Sequence, residues 1–581
     1  MAGPTAPTAP KDPEKARPFF YILKDKDIFG ERQKDGTGIQ FIYESDGRLI
    51  NSAQITGNVT DKEELRLLET VEGFGRLVHS IGVSVETDRP EETAEFVFQM
   101  YGKKDLYGGG TNLTTSLKCD GMEHRIYLSD YRWTEDDHVP GQIKILFAAP
   151  ERMGKVSVRL FLNDGYEAPP EEEDLVIDMH SEEYCGMISR SLLQLGNPYR
   201  IRKAIEKSKA GKEVTLAYIG GSITQGAGAI PIHTECYAYK SFQLFQNRFS
   251  TQNNVRFIKA GVGGTPSELG MIRFDRDVLR EGERPDIVVI EFAVNDEGDE
   301  TKGVCYESLV RKVLKLPWKP AVVLLFSVFA NDWNLQERLR PVGDLYDLPM
   351  VSILNAVTPQ FSLKCGEGRI LSKNQFFYDI FHPNNTGHTI MADCLQYLFE
   401  RCDAAEPARV GTFVEGMTEG QILSEKLSGP AVIGADFERI FLLDKKNRYV
   451  GAKIRAGGFT STDMELQSVE MDGNLTQTPE FPYNWMYDGS RPQMPGFEME
   501  ITCKSLFLIF KDSGEMDVGK ANVFVNDVYC MTADPHKNNW LHCNAVLLFW
   551  ETESRSHKVR IAVTEEDRNK KFTILGFGYT I

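Results

Sequence analysis

The hydrophobic rhythm of the chain changes twice. Up to about residue 166, apolar and polar residues alternate in short runs, as in Gly82-Val-Ser-Val-Glu86, Ala94-Glu-Phe-Val-Phe98, Gln142-Ile-Lys-Ile-Leu-Phe147 and Lys155-Val-Ser-Val-Arg-Leu-Phe-Leu162. Period two with turn residues between the runs predicts a β-sandwich. From about residue 410 the same style returns in Ser505-Leu-Phe-Leu-Ile-Phe510, Ala521-Asn-Val-Phe-Val-Asn526, Lys558-Val-Arg-Ile-Ala-Val563 and Lys571-Phe-Thr-Ile-Leu575, predicting a second one. Between them, apolar runs fit for burial on both faces alternate with helical patterns, the signature of a parallel sheet with crossover helices. The predicted strands are 214–219, 255–259, 286–292, 321–328 and, more weakly patterned, 348–353. Helices are expected at 306–316 and at 385–402, the latter capped by an Asn.

Two breaks separate these blocks: the Pro- and Glu-rich Glu167-Ala-Pro-Pro-Glu-Glu-Glu-Asp174, and Asp403-Ala-Ala-Glu-Pro-Ala408 after the last helix. The expected organisation is therefore a disordered Pro/Ala/Thr lead-in (1–18), an N-terminal sandwich (19–174), a central α/β domain (175–405) and a C-terminal sandwich (410–581). This agrees with 581 residues at roughly 150 per domain.

Charge narrows the function classes. With 84 acidic against 66 basic side chains, a net −18, the surface repels phosphate backbones and anionic headgroups, so neither nucleic acid nor membrane is an expected partner. No run approaches the ~18 apolar residues of a membrane span. The ten cysteines are scattered, with neither C-x-x-C nor zinc spacing, and no metal or cofactor is expected. Unpaired cysteines and a start without an apolar signal region fit a cytoplasmic setting.

Ligands of an open α/β sheet gather beyond the carboxyl ends of its strands. After the first predicted strand comes Gly220-Gly-Ser222-Ile-Thr-Gln-Gly226; after the second, Gly261-Val-Gly-Gly264-Thr265; after the third, Ala293-Val-Asn295-Asp296; and before the long helix, Asp379-Ile-Phe-His382-Pro-Asn384. These are the parts of an acyl-transfer site. Ser222 needs a base, which His382 can be. Asp379, three residues earlier, can reach the other ring nitrogen and fix the tautomer. An oxyanion needs pre-positioned donors, available from the Ser222 and Gly264 N–H groups and the Asn295 side chain. Rival glycine motifs fail on spacing: neither G-x-G-x-x-G nor a P-loop occurs, and Gly108-Gly-Gly110 reads as a loop. His388 falls inside the long helix and reads as structural, as do Asp296 and Glu297.

These four blocks, in this order, resemble the SGNH (GDSL-type) hydrolase superfamily over residues 178–402. The name-giving Ser, Gly, Asn and His correspond to Ser222, Gly264, Asn295 and His382. The resemblance implies a flavodoxin-like core with about five parallel strands and a cofactor-free Ser222–His382–Asp379 triad. Three positions depart from the family pattern: Gly221 stands where Asp is usual, Lys259 where Asn is, and Ala293 where Gly is. Flanking jelly-roll-like sandwiches resemble those of multidomain carbohydrate esterases, which implies removal of O-acetyl groups from acetylated oligo- or polysaccharides such as mannan or xylan. Aromatic loops around Trp485, Tyr487 and Trp540 are candidate sugar contacts, whereas Trp550 reads as core. The rival readings are a lipid or small-ester hydrolase or thioesterase and, from another class, a carbohydrate-binding protein with a decayed core. The intact Ser, Gly, Asn, Asp and His set opposes decay.

Overall fold

The computed structural model of the protein describes residues 15–45, 47–280, 282–405, 417–470, 472, 477–538 and 540–581. Most of the expected lead-in (1–14), residues 406–408 of the second linker and Asn539 lie outside the described residues.

The central domain is built on a six-stranded sheet. Its order is Leu192–Gln194, Met350–Ser352, Ala321–Phe326, Ile287–Glu291, Val214–Gly220 and Val255–Gly261. The last five run parallel. Leu192–Gln194 is antiparallel to its neighbour and is an addition to the five strands expected; three half-buried residues carry no period to read. Val214–Gly220, Ile287–Glu291 and Ala321–Phe326 are buried at every position, as strands covered by helices on both faces must be. Alternation sends Leu216, Tyr218, Val289 and Val323 into one core, under helices Tyr199–Lys209, Tyr237–Phe249 and Asn385–Asp403. Ala217, Ile219, Val288 and Ile290 enter the other, under Ser267–Phe274, Val304–Leu314 and Gln336–Tyr346.

The N-terminal domain has a four-stranded and a five-stranded antiparallel sheet with one shared core between Phe19 and Leu162. Three short helices (Arg48–Gly57, Lys62–Leu67, Val71–Leu77) interrupt it, which the strand-like patterning did not announce.

The C-terminal domain is rich in strands, as expected. Eight strands join into one hydrogen-bonded sheet, centred on the long strands Phe497–Asp512 and His542–Val563. Their pairing register shifts between Cys503 and Ser505 and again between Leu506 and Phe507. Leu506, Leu508 and Phe510 face the domain's own core, whereas Phe507 and Ile509 face the core of the central domain. The central domain is thus the second layer for that part of the sheet. No disulfide links the ten cysteines, and no helix among the described residues is long and apolar enough to cross a membrane.

Candidate active site

Register brings the turns that follow the strands to one edge of the sheet. Gly220 pairs with Gly261 on one side and Glu291 on the other, so the segments that follow these three residues emerge side by side. Ser222 opens the short helix Ser222–Gln225. Its Oγ lies 2.9 Å from His382 Nε2, and His382 Nδ1 lies 3.0 Å from Asp379 Oδ2. A carboxylate only accepts, so Nδ1 carries the proton and Nε2 accepts from the Ser222 hydroxyl. The other Asp379 oxygen accepts from the backbone N–H groups of Phe381 and His382 at 2.8 and 2.9 Å. Burial opposes ionisation of Asp379, but the imidazole, those N–H groups and Arg48 outweigh it and hold its pKa at about 2.

Asn295 and Gly264 complete the rim. A Cβ built on Gly221 falls within 2.5 Å of Asn295 Nδ2, so the amide lies directly against the Ser222 turn. A side chain at residue 221 would therefore have to displace the Asn295 amide. The other departures also find structural partners. Lys259, fully buried, donates to the Gln225 carbonyl at 3.0 Å and braces the end of the Ser222 helix, and Ala293 accepts from Leu335 N at 2.8 Å. Gly264 has φ +69°, a left-handed conformation that favours glycine.

Two supports, Arg273 and Glu291, were not legible as motifs; Asp296, read from the sequence as structural, is a third. Arg273, fully buried, donates to the carbonyls of Gly220 and Ala260 at 2.8 Å each, tying together the strand ends that carry Ser222 and the 261–264 turn; Asp277 holds it at 3.0 Å. Glu291 sits under the same turn, accepting from Thr224 Oγ1 at 3.1 Å, and burial lifts its pKa to about 7. Asp296 accepts from Ser267 N at 2.7 Å and so joins the Asn295 segment to the helix after Gly264; burial lifts its pKa to about 8.

Both flanking domains reach the rim. Tyr378 packs on the N-terminal core, the buried Lys26 donates to the Phe377 carbonyl, and Arg48 Nη1 lies 3.8 Å from Asp379 Oδ2. From the other side, a Cβ on Gly264 would lie 2.8 Å from the ring of Trp540, a residue that stays 45% exposed. Trp485 and Tyr487 do not share this position. They are buried in the C-terminal core, where Trp485 meets Phe497 edge-on, so the expectation that they contact sugar is corrected. Trp550, expected in the core, is 43% exposed beside Phe437. His388 accepts from Tyr237 N at 3.1 Å through Nδ1, with Nε2 3.1 Å from the Ala227 carbonyl. That is a neutral, buried imidazole, its pKa pushed down to about 3 by burial. Among the described residues no group of three or more His, Cys, Asp or Glu is placed to hold a metal ion.

A parallel α/β sheet with Ser, Gly, Asn and His gathered at its carboxyl edge defines the class, and comparison agrees. Residues 218–390 match the model of the GDSL-like Lipase/Acylhydrolase family. The fold is similar to that of a two-domain esterase active on acetylated mannans, at 23% identity and a TM-score of 0.55, over 68% of this chain and 98% of that one. The same enzyme co-crystallised with mannopentaose matches at 23% identity and a TM-score of 0.54, with the same coverage. An acetylxylan esterase from Geobacillus stearothermophilus matches more remotely, at 19% identity and a TM-score of 0.25, over 35% of this chain and 98% of that one. No curated protein sequence matches.

Proposed function

We propose that this protein is a serine esterase that removes O-acetyl groups from acetylated oligosaccharides of the mannan or xylan type. The observation that carries the reading is the unbroken chain Ser222–His382–Asp379, at 2.9 and 3.0 Å, beside Asn295 and Gly264.

Ser222 Oγ attacks the acetyl carbonyl carbon while its proton passes to His382 Nε2. The carbonyl oxygen becomes an oxyanion, received by the N–H groups of Ser222 and Gly264 and by the Asn295 amide. Collapse breaks the bond between the acetyl carbon and the sugar oxygen, and His382 returns the proton to that departing oxygen, which leaves as a hydroxyl. Water then attacks the acetyl-enzyme with His382 as base, releasing acetate and restoring Ser222. Asp379, ionised throughout, stabilises the imidazolium formed in each half.

The sugar assignment is supported by the fold shared with an acetylmannan esterase and by Trp540, a half-exposed ring at the oxyanion turn on which a pyranose face can stack. Mass spectrometry of acetylated manno- and xylo-oligosaccharides before and after incubation tests the reading. Stepwise loss of acetyl groups with the native protein and none with Ser222→Ala is expected; a full panel left untouched by the native protein would contradict it.

A further inference from the structure

Both carbonyls of the Gly263-Gly264 turn are held by the C-terminal domain. Gln467 Nε2 donates to Gly263 O at 2.9 Å, and His542 Nε2 lies 3.1 Å from Gly264 O. Gln467 is itself fixed, because its Oε1 accepts from Cys543 N at 2.9 Å, which settles which end of the amide faces Gly263. His542 is backed by Asp512 at 3.2 Å.

The Gly263 carbonyl and the Gly264 N–H belong to one peptide unit. In a trans peptide these two groups point in opposite directions. A donor gripping the carbonyl therefore aims the N–H the other way, and by drawing charge toward the oxygen it makes that N–H a stronger donor. Glycine on both sides gives this peptide little steric resistance to rotation, so its orientation depends on such a grip. Gln467 is buried and lies some 200 residues beyond the turn, in what the sequence presents as an accessory domain.

We infer that Gln467 is a positioning residue for the oxyanion site. The C-terminal domain thereby completes the reaction centre and does more than hold substrate. The inference rests on the esterase reading, in which the Gly264 N–H receives the oxyanion. Its consequence is that the domain matters even for an ester too small to touch it.

The test uses the full chain with 4-nitrophenyl acetate as substrate and methylboronic acid as a tetrahedral mimic. Gln467→Glu keeps the shape and the acceptor for Cys543 but at pH 8 sets an anion against the Gly263 carbonyl; Gln467→Met keeps the volume and removes the donor. Because the turn is loosened and not deleted, kcat should fall roughly 10- to 100-fold, short of the 10²–10³ that follows outright loss of a donor. The methylboronic acid inhibition constant should rise by a similar factor while KM stays within about twofold. Far-UV circular dichroism identifies a variant that has lost its fold, in which case the other carries the same expectation. A folded variant with unchanged kcat and inhibition constant overturns the inference, as does a rise in KM alone. Ser222→Ala is run beside them: turnover retained there overturns the esterase reading itself, whereas its loss together with normal Gln467 variants overturns only this inference.

Discussion

The side-chain amide of Asn295 lies so close to Gly221 that a Cβ on residue 221 would come within 2.5 Å of Asn295 Nδ2. The residue before Ser222 and the Asn295 amide thus share one steric constraint. Gly221→Ala should displace the amide, the turn, or both, and lower kcat by on the order of 10²-fold with the melting temperature little changed. Gly221→Asp, which restores the residue usual in the family, should be no better. Steady-state kinetics on an acetyl ester with a parallel thermal melt checks both.

Asp379 ties activity to acid stability. Its folded pKa of about 2 lies below the ordinary 3.8, so its contribution is complete above about pH 4 and is lost as pH falls through about 2. Asp379→Asn should lower kcat by roughly 10³–10⁴-fold, because the imidazole loses its tautomeric partner. Acid titration followed by circular dichroism should show the variant less pH-dependent than wild type between pH 4 and 2.

Glu291 carries the opposite sign. Its folded pKa of about 7 lies above the ordinary carboxyl value, so the native state holds a proton that the unfolded chain gives up, and stability falls as pH rises from about 4.5 to 7. Glu291→Gln keeps an acceptor for Thr224 without the charge. It should match wild type near pH 4.5 and be more stable at pH 8 by on the order of 1–3 kcal/mol, read from chemical denaturation at the two pH values.

Two tryptophans of the C-terminal domain should separate cleanly. Trp540→Ala should raise KM for an acetylated oligosaccharide roughly 3- to 10-fold, the worth of one ring stack, and leave KM for 4-nitrophenyl acetate nearly unchanged. Trp485→Ala should instead destabilise the domain by about 3–5 kcal/mol, since its ring is 6% exposed and packs on Phe497. Kinetics on both substrates and a denaturant melt of each variant decide this.

What was legible in the sequence follows from how local the signal is. Fully buried strands such as Ala321–Phe326 announce themselves by composition, and the turns after them carry Ser222, Gly264 and Asn295 at positions that strand register alone brings together. His382 and Asp379 are three residues apart and read as a unit. Leu192–Gln194 is too short to have a period. Arg273, Lys26 and Gln467 had no signature because each acts on a distant backbone carbonyl, and a carbonyl has no letter in the sequence. Trp485 and Trp540 stand in similar polar, aromatic stretches; only the sheet pairing of Trp485 with Ile574 puts one inside and leaves the other at the rim. In the C-terminal domain alternation reports that a face is covered, not what covers it: Phe507 and Ile509 face the core of the central domain.

The central claim is that the acetyl group passes through Ser222. Incubation with an acetylated manno-oligosaccharide, rapid acid quench and peptide mass spectrometry test it directly. The account predicts an acetyl group on the peptide containing Ser222 in the native protein, and neither acetylation nor acetate release in Ser222→Ala. Acetate released by Ser222→Ala at the native rate would contradict it.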